Sequence, residues 1–174
     1  MKNELITHEA MLPKNQNERE KLPDCQGEKI NENYQILQKG ALKYIGNNEG
    51  QIVSKGYHEF KVFKHNDIVA IVGQEGAKYK LLKIPQNLDG FFEESPARFH
   101  EIIFDDELGL IIASAGAMSC ILDMQTGQEI SKNYHSIFKR GGKLYGKTGT
   151  HEEEIELFTP KQISETKQIE NNNQ

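Results

Sequence analysis

Apolar residues come in short runs through the middle of the chain, each closed by turn-forming residues. IVAIV (68–72), YKLLKI (79–84), FHEIIF (99–104), LGLIIASA (108–115) and EIELF (154–158) have strand length and are rich in Ile, Val, Leu, Tyr and Phe. Between the runs lie GNNEG (46–50), KHND (64–67), GQEG (73–76), DDE (105–107), MQTG (124–127), KRGG (139–142) and KTGT (147–150). Gly and Asn supply the positive φ angles that hairpin turns require. No stretch here keeps a helical apolar period over three turns. The pattern predicts an all-β fold with antiparallel neighbours.

The pattern repeats. GALKYIGNNEGQIVSKGYHEF begins at Gly40 and GAMSCILDMQTGQEISKNYHSIF at Gly116, and a third copy opens at Gly76 as GAKYKLLKI and closes as FHEI from Phe99. Each copy reads as Gly-Ala, a strand, a turn ending in Gly (Gly50, Gly90 or Gly127), then an aromatic, His, a variable residue and a large apolar residue. Gly27 to Tyr34, Gly50 to Tyr57 and Gly127 to Tyr134 keep one spacing, while the copy from Gly76 is lengthened by PQNLDGFFEESPAR (85–98). Half copies, GEKINENYQI (27–36) and GTHEEEIELF (149–158), flank the full ones. A period of this length marks supersecondary units that bury one another, and atypical terminal units cap such an array. The expectation is an antiparallel β-repeat domain over 27–160, with three full units and partial capping units, propeller-like or stacked.

Composition sharpens the ends. Residues 1–26 and 161–174 carry few large apolar residues at core spacing, so both read as polar, flexible tails, the C-terminal one disordered. Leu5, Ile6, Ala10, Met11 and Leu12 share a rough helical face that Pro13 closes, so a short helix is expected there. The formal net charge is −5, with acid and base interspersed, which argues against a non-specific nucleic-acid surface. Glu93–Glu94, Asp105–Asp106–Glu107 and Glu152–Glu153–Glu154 read as solvated strand ends or turns. Two cysteines, Cys25 and Cys120, are too few for an oxidised framework and read as free thiols. The chain shows no apolar stretch of signal-peptide or membrane-span length, so the default expectation is a soluble cytoplasmic protein without a membrane partner.

On these residues the chain resembles the WG-repeat (KWG-type) family over roughly 27–158. Units of that family run Gly-Lys-Trp-Gly, an apolar strand, a Gly turn, an apolar pair, then a Tyr-Asp-x-Ile-like segment. The chain follows the course and departs at the naming dipeptide, with Leu42 or Tyr79 in place of Trp and Lys43, Lys80 or Cys120 in place of the following Gly. A second resemblance is to quinoprotein-type β-propeller blades, carried by ILDMQTGQEIS (121–131). Both imply mostly binding or scaffold modules, with catalytic members in the second.

Chemistry is sparse. His58, His100 and His135 fall at one place in three units, and three imidazoles around an axis could hold zinc with an open position. Beside a core aromatic on a strand, however, His points to the opposite face, and the bland reading is a hydrogen bond that ties units together. Ser114 and Ser119 flank Gly116 without a nucleophile elbow. KRGGKLYGKTGT (139–150) has the glycines of a phosphate loop but runs into a strand, so it reads as a solvated hairpin. Tyr34, Tyr57, Phe99 and Tyr134 read as a core ladder. Phe91 and Phe92 cannot both face one side of a strand, so the segment is irregular or one ring is exposed.

The reading is therefore a module without catalytic residues or a cofactor, presenting loops to a protein partner, with Phe91, Phe92, Glu93 and Glu94 as contact candidates. Two alternatives stand beside it. One is a metal- or ligand-binding enzyme using His58, His100 and His135. The other is a structural subunit that pairs with another chain through an edge strand left open by an incomplete repeat.

Overall fold

The computed structural model describes residues 20–22 and 27–159. The expected N-terminal helix, Cys25 and the C-terminal tail 161–174 lie outside the described residues. Within them there is no helix, and none is long and apolar enough to cross a membrane.

The strands form four antiparallel sheets, none closed into a barrel. The first holds β1 (Glu28–Lys29), β2 (Tyr34–Lys39) and β3 (Leu42–Asn47). The second holds β4 (Glu59–His65), β5 (Ile68–Glu75), β6 (Lys78–Lys83) and β7 (Glu93–Glu94). The third holds β8 (Glu101–Asp105), β9 (Leu110–Ala115) and β10 (Met118–Asp123). The fourth holds β11 (Ser136–Arg140), β12 (Lys143–Thr148) and β13 (His151–Glu154). The expected all-β repeat architecture is what the molecule has, in a different frame. Gly-Ala does not open a unit. It is the two-residue turn between the second and third strands, closed by the pairs Lys39–Leu42, Glu75–Lys78 and Ala115–Met118. Gly40, Gly76 and Gly116 sit at φ near +60°, and the alanines after them do not, which is the type II′ geometry that fits the twist of a hairpin. Gly149 at φ 60°, before Thr150, makes the same turn in the fourth sheet. The two half copies are thus no separate caps. They complete the first and fourth sheets.

Three core clusters fill the three interfaces between consecutive sheets. Ile45, Val53, Tyr57, Phe60, Ile71 and Leu82 pack between the first and second. Val72, Leu81, Phe99, Ile111, Cys120 and Leu122 pack between the second and third. Ile121, Ile130, Tyr134, Leu144 and Ile155 pack between the third and fourth. Alternation explains the division: in β5, Ile71 faces the first sheet while Ala70 and Val72 face the third. A sheet buried on both faces reads as a continuous apolar run, which is why IVAIV and LGLIIASA show no polar alternation. On the far side of the fourth sheet, Phe138 stacks on Tyr145 at 5.9 Å, the Arg140 guanidinium lies over both rings, and it pairs with Glu152. Among the described residues that face is covered by charge and not by another sheet's core.

Three local readings change. EIELF (154–158) was expected as a strand, but the Gly149–Thr150 turn sets the register Thr148–His151 and the strand is His151–Glu154. Gly73, expected in a turn, lies inside β5, paired with Phe60 and Lys80, and is a glycine there because a Cβ would come within 2.5 Å of the Tyr57 ring. Glu20–Leu22, assigned by composition to the tail, belong to the fold: Ile52 N–H donates to the Glu20 carbonyl at 2.9 Å and Leu22 N–H to the Gly50 carbonyl at 3.1 Å.

Candidate interaction surface

The aromatic at the end of each unit is a joint between sheets. The Tyr57 backbone exchanges both hydrogen bonds with Lys43 of the first sheet, at 2.8 and 2.9 Å, while its ring lies over Gly73 of the second. Phe99 does the same with Tyr79, and Tyr134 with Ser119, its ring over Gly146 of the fourth sheet. The backbone belongs to one sheet and the ring to the next, so Tyr57, Phe99 and Tyr134 are rungs of the expected core ladder, each buried against the following unit. Tyr34, the fourth expected rung, instead lies within β2, paired with Asn47, and its buried ring meets Phe92.

The histidine after each aromatic points the other way and is exposed. His58 Nδ1 accepts from the Gly76 N–H at 3.1 Å and His135 Nδ1 from the Gly149 N–H at 3.0 Å. The imidazole therefore pins the incoming strand to the hairpin turn of its own sheet. Backbone N–H groups of His58, His100 and His135 donate to Gln74, Ser114 and Lys147. Among the described residues no group of three His, Cys, Asp or Glu could hold a metal ion, so these three side chains are not brought together. Ser114 and Ser119 form a cross-strand hydroxyl pair at 2.8 Å beside the Gly116 turn.

The segment between β6 and β7 is where one unit departs from the others. Its counterparts are tight: Asn47 accepts the Gly50 N–H in the first sheet, and Asp123 accepts the Gly127 N–H in the third. In the second sheet the chain instead makes a loop over 84–92. Consecutive residues face opposite ways, and the structure divides the two phenylalanines accordingly. Phe92 is 3% exposed, donates its N–H to the Val53 carbonyl at 2.7 Å and meets Tyr34 edge-on at 4.9 Å. Phe91 is 37% exposed, with Ile84 at 41% and Leu88 at 60%. Phe91, Ile84, Pro85, Gln86 and Lys83 line an open cavity of about 470 Å³. The loop is thus nailed to the first sheet by one ring and shows the other to solvent. Pro85 and Gly90 brace it, since a Cβ at Gly90 would meet Pro85 at 2.3 Å.

Of the four contact candidates, Phe92 and Glu94 are taken up by the fold, while Phe91 and Glu93 are exposed. Glu94 accepts from the Tyr57 hydroxyl and from Lys80 Nζ at 2.6 Å, with Lys55 at 3.4 Å. Burial opposes its charge, but the bonds from Lys80 and Tyr57 and the charge of Lys55 outweigh it and hold the carboxyl at about 2. Burial, and then the bond to Glu94, pushes the Tyr57 phenol far up. Cys120 is buried as a free thiol, and burial followed by the Glu129 charge pushes it up to about 12, which disfavours the thiolate. Sequence reasoning missed Ile84 and Leu88. Their signal was an apolar pair in a Pro-Gln-Asn turn segment with no strand partner.

No family model matches the chain, and no curated protein and no solved structure matches it either.

Proposed function

We propose that the chain is a non-enzymatic binding scaffold whose contact with a protein partner is centred on the loop 84–92. The observation that carries this is the split of Phe91 from Phe92. One ring anchors an inserted loop in the core, and the other stands at an open cavity with Ile84 beside it and Leu88 exposed on the same loop. Apolar side chains held out on a braced loop gain by being covered, and loops on a rigid sheet scaffold are where recognition concentrates. The WG-repeat resemblance supports the same reading, and the free thiol Cys120 fits a reducing compartment.

The test is a pair of variants in the full chain. Phe91→Asp with Leu88→Asp is expected to leave thermal unfolding unchanged and to abolish capture of the partner identified by proximity cross-linking at residue 91. Phe92→Ala is expected to lower stability by about 3–5 kcal/mol through the loss of a buried ring. Full partner capture by the Phe91→Asp, Leu88→Asp chain would remove the loop from consideration.

A further inference from the structure

Among the described residues the fourth sheet lacks a strand that the other three have. In the first, Ile52 bridges Gly46, Val53 N–H donates to the Ile45 carbonyl at 2.8 Å, and Tyr57 exchanges bonds with Lys43. In the second, β7 runs along β6, Ser95 N–H donates to the Leu81 carbonyl at 2.8 Å, and Phe99 exchanges bonds with Tyr79. In the third, Glu129 bridges Leu122, Ile130 N–H donates to the Ile121 carbonyl at 2.9 Å, and Tyr134 exchanges bonds with Ser119. Counted from the turn glycine, the third and fifth residues of the bordered strand are the ones paired each time. After Gly149 those residues are Glu152 and Glu154. The register of β12 on β13 pairs Thr148 with His151 and Gly146 with Glu153, so the alternation of an antiparallel ladder turns the N–H and C=O groups of Glu152 and Glu154 away from β12. Among the described residues no backbone group meets them there.

We propose that this edge of β13 takes an extended, antiparallel strand from a partner protein, of the type aliphatic-Ser-Lys-x-aromatic. The molecule contains that occupant twice, as Val53-Ser54-Lys55-Gly56-Tyr57 on β3 and Ile130-Ser131-Lys132-Asn133-Tyr134 on β10. Each residue has a reason. The aliphatic N–H bonds the carbonyl of the fifth residue. The serine Oγ accepts that residue's N–H, as Ser54 does from Ile45 at 2.7 Å and Ser131 from Ile121 at 2.8 Å. The aromatic residue closes the ladder at the third residue. In both copies the lysine reaches a carboxylate of the following sheet and not the strand it borders, Lys55 to Glu75 at 3.1 Å and Lys132 to Glu153 at 3.6 Å, so beside β13 it brings only its charge near the run Glu152–Glu153–Glu154. The same acidic run disfavours a second copy of β13 as the occupant, since it would set carboxylates against carboxylates. Backbone pairing at a sheet edge supplies affinity and the side chains supply selection. This site is separate from the loop 84–92, and the proposal does not rest on that loop.

The test uses a fluorescein-labelled peptide of sequence QIVSKGY added to the full chain. Anisotropy is expected to saturate, and NMR is expected to show slowed amide exchange at Glu152 and Glu154 on addition. N-methylation at the peptide valine is expected to weaken binding roughly tenfold or more by removing one ladder bond and adding a clash. Glu154→Pro removes an outward N–H without touching the β12–β13 ladder, and is expected to keep the circular dichroism spectrum and lose the peptide. Absence of saturable binding overturns the proposal. So does binding that ignores both the N-methyl group and Glu154→Pro. Slow exchange at Glu152 and Glu154 in the free monomer would mean that the chain itself fills the edge, and a peptide-independent dimer would mean that a second copy does; either result overturns it.

Discussion

The Tyr57 joint and the Phe99 joint occupy the same place in consecutive units, with the same backbone exchange and a small residue, Gly73 or Ala113, at the matching strand position. Their chemistry is opposite. Under Tyr57 stand Glu94, Lys80 and Lys55. In the Phe99 cluster the position of Lys80 is held by Cys120, buried and apolar in character. The Tyr134 joint is intermediate: its hydroxyl donates directly to Glu153 at 2.8 Å, and that residue stands at the same strand position again. A ring alone is enough to join two sheets. At these two tyrosine joints the ring hydroxyl is answered by a carboxylate, because a buried donor without an acceptor costs as much as a lost core contact. The Tyr34 hydroxyl, inside β2 and not at a joint, is buried without a hydrogen-bond partner among the described residues.

The largest break in this comparison is Glu94→Ala, which leaves the Tyr57 hydroxyl and the nearly buried Lys80 without their acceptor and is expected to cost about 3 kcal/mol in urea unfolding. A loss under about 0.5 kcal/mol, the range of an ordinary surface change, would show that the network is incidental. The same carboxylate sets an acid limb. Its folded value, about 2, lies below the ordinary 4.5, so its contribution is whole above pH 4.5 and is lost as pH falls towards 2. Glu94→Gln is expected to flatten the stability curve in that window and leave it unchanged at higher acidity. Gly73→Ala comes next, at about 1–3 kcal/mol, because the added methyl meets the Tyr57 ring. That methyl is native at Ala113 in the Phe99 cluster, so Ala113→Gly is expected to move stability by only about 0.5–1 kcal/mol; equal costs at the two sites would mean that the joints are not equivalent. Phe99→Tyr sets a hydroxyl among apolar groups and is expected to cost about 1–2 kcal/mol, with Cys120→Glu restoring part of it as Glu153 serves Tyr134. No recovery in the double variant would break the analogy.

The first sheet shows how far the repeat pattern carries. Where the second and fourth sheets hold Gly73 with Leu82 and Gly146 with Ile155, the first holds Leu37 with Gly46: large and small have changed places. A Cβ on Gly46 would meet Leu37 at 2.3 Å. No aromatic joint precedes this sheet among the described residues, so leucine fills the space that a ring fills elsewhere. The swap was written in the chain but unreadable without knowing that the two positions are diagonal neighbours. The opposite facing of Phe91 and Phe92 was legible from adjacency alone. Which of them turned inwards depended on the Val53 carbonyl, nearly forty positions earlier.

From the order of residues alone came the period, the strand class, the turn glycines, the buried aromatic and the outward histidine, all of which follow from local rules: alternation within a strand and positive φ at a turn. The tertiary structure decided the phase of the repeat, the roles of Phe91 and Phe92, the tie between Glu94 and Tyr57, and the bare edge of β13. Each of these turns on a hydrogen bond or a contact between residues far apart in sequence. A periodic chain looks the same from any starting point until pairing selects where a sheet begins and where the last one ends.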